Sequence, residues 1–363
     1  MNAVAQKRKS HGLSQTELAE RCGISRQFLS LIESGKTQPN VQIAIQMSRV
    51  LQCTVEQLFA SDTDLKTDVP VVLLDDFPAK IGSRLSLGNV KGTWIAQSID
   101  TEDSLAMGFA SSDGILKSDH DRLYASLLRK PEELSNNLVI SGCDPALHLI
   151  KDYFQSKEST LMVHVCGSEQ SLQLLENNRV HMAGFHFPEI DGKGNLDHLN
   201  SLRHIKEKAV FRFSSWELGW MVSDRFRAEF KGAADLANPQ IRFANREPGS
   251  GARVWLDNSL TIAGVPADLV SGYEVEYTTH HKCAEALKTG IADVALGPRA
   301  VADIMGLHFI PVTEFPFDIV LDQQSLALPQ ISRFLDELNS ARFQHEMGFL
   351  SGYHTAKTGQ RLA

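Results

Sequence analysis

LSQTELAERCGISRQFLSLIESGKTQPNVQIAIQMSRVLQCTVEQLF, residues 13–59, carries the densest local signals in the chain. Ser14 followed three residues later by Glu17 is a capping box, in which each side chain satisfies a free amide of a new helix. Leu18, Ala19 and Cys22 form the apolar stripe of that helix, and Gly23 closes it. Ser25 caps a second helix with Phe28, Leu29 and Ile32 on its apolar face, and Gly35 ends it. Pro39-Asn40 starts a third, with Val41, Ile45 and Leu51 among its apolar positions, and Val55, Leu58 and Phe59 supply a last short amphipathic turn.

A helix, a tight Cys22-Gly23-Ile24 turn and another helix make the geometry of a helix-turn-helix. Charge agrees with it. Residues 1–60 hold seven Lys/Arg against four Glu, a balance of +3, which leaves −11 for the rest of a chain whose total is −8. Such asymmetry suits one segment facing a polyanion and a body that repels it. The alternative is a small helical bundle with Arg and Gln on a solvated face.

The stretch resembles the phage-repressor-like (XRE) family almost throughout. That resemblance makes Ser25 to Ser34 the recognition helix, with Ser25 at its start and Arg26, Gln27 and Ser30 facing the major groove. There Arg and Gln make bidentate contacts to guanine and adenine. Gln15 and Lys36 would touch phosphates. The partner implied is a double-stranded DNA operator, read by a homodimer.

A chain of 363 residues exceeds one ordinary core, so a multidomain protein is expected. No run of eighteen apolar residues points to a membrane span, and MNAVAQKRKS is followed by no apolar signal core. Five scattered cysteines without a CxxC pair fit a reducing compartment. The expected location is cytoplasmic, with no membrane partner.

Beyond an all-α head over 1–62, residues 61–70 are polar and acidic and read as a linker. VVLL (71–74) and SRLSLGNVKGTWIAQSI (83–99) are β-type runs with a turn at Asn89 to Gly92. Residues 63–133 thus read as a linker and small β-rich connector, a spacer or dimer contact too small to bury much alone.

From residue 136 strands alternate with helices: Asn137 to Ser141, helix Ala146 to Phe154, Leu161 to Cys166, helix Glu169 to Asn177, Val180 to Phe185. This predicts a mostly parallel sheet covered on both faces, with ligands at the strands' carboxyl ends. Asn245-Arg246-Glu247-Pro248-Gly249-Ser250-Gly251-Ala252-Arg253 follows the strand Ile241 to Ala244 and opens the helix Val254 to Leu260. Such a junction offers free amides to an anion. Arg253 would either grip that anion or brace a carboxylate.

SGCDPALHL (141–149), MAGFHFP (182–188), NREPGSGARVWLD (245–257), TTHHKCAEALKTGIADVALGPRA (278–300) and GYHTAKTG (352–359) occur in order. Together they resemble the periplasmic-binding-protein-like domain that is similar to molybdate-binding proteins. The resemblance implies a two-lobed α/β domain over 134–359, with a hinge crossing twice. Lobe one would be 134–212 plus the tail, and lobe two about 213–310. Ligand-binding loops would supply Ser141, Cys143, Asp144, Ser168, Gly184, His186, Gly249, Ser250, Gly251, Arg253, Thr279 and His280. The implied effector is molybdate or tungstate, with a small organic anion as the competitor. His181 and His354 depart from the family pattern.

No metal or other cofactor is expected. Cys143, at a strand end, reads as a small buried residue, with a redox or soft-metal handle as the alternative, and His280-His281 as neighbours pointing apart. No GxSxG elbow, Walker loop or GxGxxG is present, so a non-enzyme is expected.

Overall fold

In a computed structural model the chain forms two compact units, 1–67 and 68–363, described separately below. The structure describes residues 3–59, 67–74, 80–101, 108–156, 159–190, 192 and 194–363. The predicted linker falls partly on 61–66, outside the described residues.

The first unit has helices α1 (Ala3–Ser10), α2 (Gln15–Arg21), α3 (Arg26–Glu33), α4 (Val41–Val50) and α5 (Val55–Phe59). Caps set their boundaries. The Ser14–Glu17 box is complete, Ser25 Oγ accepts from Phe28 N at 3.1 Å, and Asn40 Oδ1 accepts from Ile43 N at 2.9 Å. Gly23 turns the chain between α2 and α3 at φ 66, a left-handed conformation that favours glycine. Val4, Leu18, Leu29, Ile32, Met47, Leu51 and Leu58 make the core. Two expected core positions lie outside it: Val41 is 76% and Ile45 39% exposed. The Asn40 cap phases α4 so that Ala44, Met47 and Leu51 face inward at helical spacing. Beneath α3, the guanidinium of Arg8 pairs with Glu33 at 2.6 Å.

The second unit begins with strands β1 (Asp68–Leu73), β2 (Arg84–Val90), β3 (Thr93–Ser98), β4 (Gly114–Asp119) and β5 (Arg122–Leu127). They close into a barrel in the order β1-β3-β2-β4-β5. The predicted turn joins β2 and β3, with Lys91 (φ 48) and Gly92 (φ 87) both left-handed, as a tight hairpin requires. Two expectations need correction. Residues 68–70 belong to β1 rather than to a linker, and the barrel buries a core of its own: Val69, Val71, Leu85, Leu87, Ala96, Leu116, Ala125 and Leu127. Closure lets short strands share one interior, which run-by-run reading of apolar residues does not reveal.

The barrel is also fastened to the sheet that follows. Leu74, Val90 and Ile95 join a core with Val139, Met162, Leu175 and Val180. Asn137 Nδ2 donates to Leu87 O at 2.8 Å, and Lys91 Nζ pairs with Asp322 at 2.8 Å. At Gly88 even a Cβ would stand 2.4 Å from Val139 Cγ2.

The larger sheet holds β6 (Leu138–Ser141), β7 (Leu161–His164), β8 (Met182–Phe185), β9 (Lys208–Val222), β10 (Phe243–Arg246), β11 (Glu276–Tyr277), β12 (Val294–Pro298), β13 (His308–Asp322) and β14 (Tyr353–His354). Its order is β11-β10-β12-β9-β13-β8-β6-β7, with β14 on β9. Parallel strands β6–β8 and β10–β12 form two lobes, and the 15-residue strands β9 and β13 run antiparallel through both. The sheet is therefore mixed, its antiparallel pair being the expected double crossing. Helices α6 (Ala146–Phe154), α7 (Ser168–Glu176), α8 (Gly251–Ala263) and α9 (His280–Lys288) follow strand ends. Helix α8 starts three residues before the predicted position, because Ser250 is its cap.

Candidate functional site

The carboxyl ends of β6, β8 and β10, the start of α9 and the middle of β9 converge on one buried place. They deliver Cys143, His186, Arg246, His280 and Trp216, all buried. The Trp216 ring lies 5.1 Å from the His186 ring and 5.8 Å from the His280 ring. Phe315 sits 5.0 Å from His186. His186 Nε2 is 3.1 Å from Cys143 Sγ, and His280 Nδ1 is 3.3 Å from the Leu296 carbonyl.

Burial sets the protonation states. It pushes the Cys143 thiol up to about 12 and His186 down to about 3, with the Arg246 charge adding to the latter. His280 is lowered well below its ordinary value by burial, then by Arg246 and His186. Both imidazoles are therefore neutral at pH 7. Burial opposes the Arg246 charge, but Glu247 outweighs it. Arg246 Nε and Nη2 donate to the two Glu247 oxygens at 2.8 Å, and to the carbonyls of Tyr277 and Thr278 at 3.1 Å.

Four polar atoms in this place lack a hydrogen-bond partner among the described residues: Arg246 Nη1, Trp216 Nε1, His186 Nδ1 and His280 Nε2. Buried polar groups are paired in the great majority of cases, so four orphans together mark a place shaped for something else. The lobes meet over it. A Cβ at Gly251, the first residue of α8, would stand 2.4 Å from the His186 carbonyl oxygen. Glu169 N of lobe one donates to Gly249 O of lobe two at 3.3 Å.

Of the ligand residues expected from sequence, Cys143, His186, Gly251 and His280 meet here. The others serve the frame. Ser141 Oγ bonds Ser171 Oγ at 2.7 Å. Asp144 accepts from Ala146 N, Ser214 Oγ and Tyr353 OH at 2.8, 2.6 and 2.7 Å, so its carboxylate ties the β6 loop to β9 and the tail. Ser168 Oγ donates to His186 O at 2.9 Å and accepts its amide at 3.1 Å. Gly184 packs against Phe317, and Gly249 (φ 79) against Glu169. Ser250 and Thr279 cap α8 and α9. Arg253 reaches Asp257 Oδ1 at 3.1 Å and the Arg246 carbonyl at 3.2 Å, over the Tyr273 ring, the partners of a brace. Arg246 is not among the ligand residues expected from sequence. The position of Arg246, last on a strand before a glycine turn, was the available signal.

In the helical unit, Ser25, Arg26, Gln27, Ser30 and Lys36 are all exposed on or beside α3. Gln15 is half-buried and gives one amide hydrogen to Glu33 at 2.8 Å. His181, one of the departures, accepts from Val139 N at 3.0 Å and meets Asn89 O of the barrel at 3.0 Å. His354 is exposed.

Comparison with known proteins follows the same division. A helix-turn-helix family matches residues 4–58, and a family described as a PBP superfamily domain matches residues 151–339, more than half of the chain. The chain belongs to the PBP superfamily and carries an XRE-type helix-turn-helix head. The uncharacterized protein YvgK of Bacillus subtilis is 28% identical over 227 residues, 62% of this chain and 73% of that protein. An uncharacterized HTH-type transcriptional regulator of Methanothermobacter thermautotrophicus is 37% identical over 62 residues, 17% of this chain and 90% of that one. Among solved structures, a phosphate-bound putative phosphate ABC transporter substrate-binding protein from Clostridium perfringens aligns with TM-score 0.44 and 12% identity. It covers 58% of this chain and 96% of its own. No helix among the described residues is long and apolar enough to cross a membrane.

Proposed function

We propose that this PBP-superfamily chain is a cytoplasmic, non-enzymatic, one-component transcription regulator whose cleft senses a small anion. The observation that carries the reading is the pair Arg246 Nη1 and Trp216 Nε1, two buried donors without partners at the meeting of the lobes. An oxyanion there gains charge-assisted hydrogen bonds, about twice as strong as neutral ones. Molybdate and tungstate are the favoured effectors, and a small organic anion is the alternative. Binding acts on DNA by favouring one arrangement of the lobes over another.

Calorimetry and melting of the full chain against molybdate, tungstate, sulfate and small carboxylates test this. At a hundred times its Kd, the effector stabilises the second unit by about 2.7 kcal/mol. A full panel without heat or shift removes the anion reading.

The same proposal places Arg26, Gln27 and Ser30 on base edges and Ser25, Gln15 and Lys36 beside phosphates, in a homodimer on a two-fold operator. Arg26→Ala with Gln27→Ala is expected to abolish specific binding, each good bidentate contact being worth about 1–3 kcal/mol. Footprinting on the native operator checks it. An unchanged footprint would mean that another helix reads the bases.

A further inference from the structure

An anion uses donors, yet the site also presents acceptors. The Leu296 carbonyl can only accept, so His280 Nδ1 carries the ring's proton, and the neutral ring turns the lone pair of Nε2 inward. That lone pair has no partner among the described residues. Beside it stand Cys143 Sγ and a ring nitrogen of His186. The three donor atoms lie within 4.8 Å of one another, and all three residues are buried.

We propose that Cys143, His186 and His280 form a binding site for a soft monovalent cation, Cu(I). The proposal goes beyond the anion reading and does not rest on it, since Arg246 Nη1 and Trp216 Nε1 take no part. One thiolate and two imidazoles are the donor set that suits Cu(I) by softness. Metal–sulfur and metal–nitrogen bonds of about 2.3 and 2.0 Å set neighbouring donors about 3.5–3.7 Å apart in a three-coordinate site, so the close His186–Cys143 pair opens slightly and wider separations close by roughly 1 Å, within reach of side-chain torsions. His280 already has the outer partner that ligating histidines keep, a backbone carbonyl on its far nitrogen. Trp216 and Phe315 wall the place against water.

Softness selects the valence, one thiolate and two imidazoles suiting a soft monovalent ion. Arg246 and Glu247 neutralise each other through two 2.8 Å hydrogen bonds. Cys143 enters as a thiol hydrogen-bonded with His186. On binding, the S–H bond breaks, its proton leaves to solvent, and a sulfur–copper bond forms; no electron is transferred. The Cu(I)–thiolate unit is itself neutral, and Asp144, next in the chain to Cys143, is held by three hydrogen-bond donors of its own.

The test is an anaerobic titration of reduced, metal-free full-length protein with Cu(I) against a chromophoric Cu(I) chelator, in buffer without candidate oxyanions. Anion titrations are run separately on metal-free protein, so either reading can fail alone. One equivalent of copper per chain is expected to leave the chelator. Cys143→Ala, His186→Ala and His280→Ala are each expected to weaken binding by more than about 100-fold. X-ray absorption on the wild-type complex, which needs no variant to fold, is expected to show one sulfur and two nitrogen neighbours. No withdrawal of copper, an all-sulfur shell from other cysteines, or unchanged affinity in Cys143→Ala would overturn the site. Tighter binding of Zn(II) than of Cu(I) would overturn the monovalent assignment.

Discussion

Arg246→Met is expected to destabilise the second unit by about 3–5 kcal/mol, the usual cost of removing one member of a buried ion pair. The side chain is only 2% exposed and anchors the Glu247 carboxylate and the carbonyls of Tyr277 and Thr278. Methionine fills similar volume but donates nothing, so those acceptors lose their partner. All four tryptophans, Trp94, Trp216, Trp220 and Trp255, belong to the second unit. Urea unfolding followed by tryptophan fluorescence therefore reads that unit alone. Adding Glu247→Leu removes the abandoned charge and should recover much of the loss. A single-variant loss below about 1 kcal/mol would show that the pair is solvated like a surface bridge.

Acid should be nearly as damaging. His181 titrates at about 4 and His186 at about 3 in the fold, against 6.5 for an ordinary histidine, burial being the main cause for both. As pH falls below 6.5 the unfolded chain takes up protons that the folded chain refuses, so stability drops until the folded values are reached. For His181 the loss between pH 7 and pH 4 is about 3 kcal/mol, at 1.36 kcal/mol per pKa unit. Asp144 is held above the carboxylate range by burial and has the opposite sign, since acid relieves its charge. That contribution is common to wild type and variant, and cancels in their comparison. His181→Asn should therefore narrow the pH 7 to pH 4 difference in unfolding free energy by about 3 kcal/mol. An unchanged difference in urea titrations would mean that water reaches the ring.

The helical head was legible almost residue by residue, because capping boxes and glycine stops are local. The misplaced face of α4 shows the limit: Val41 and Ala44 compete for the core, and only the phase set by Asn40 decides. Strand–helix alternation gave a mostly parallel sheet and the family resemblance its two lobes, but β9 and β13 are antiparallel partners about a hundred residues apart, a pairing without local trace. The site divides similarly. His186 and His280 were found at element ends, yet their meeting with Cys143 is a tertiary event, and His280-His281 read alone argued against a metal. The resemblance makes Ser250 and Thr279 ligand groups and the structure makes both helix caps, two roles of a hydroxyl that look alike in sequence.

The chain enters the second lobe by β9 and leaves it by β13, while the barrel holds to the first lobe through Leu87, Asn89 and Lys91. Everything between those two crossings is thus a cassette with two seams. Its exchange would replace Arg246, Gly251 and His280 yet leave Cys143, His186 and Trp216 standing. Half of the residues gathered at the buried place can then diverge among descendants while the covalent route toward the helix-turn-helix head stays as it was.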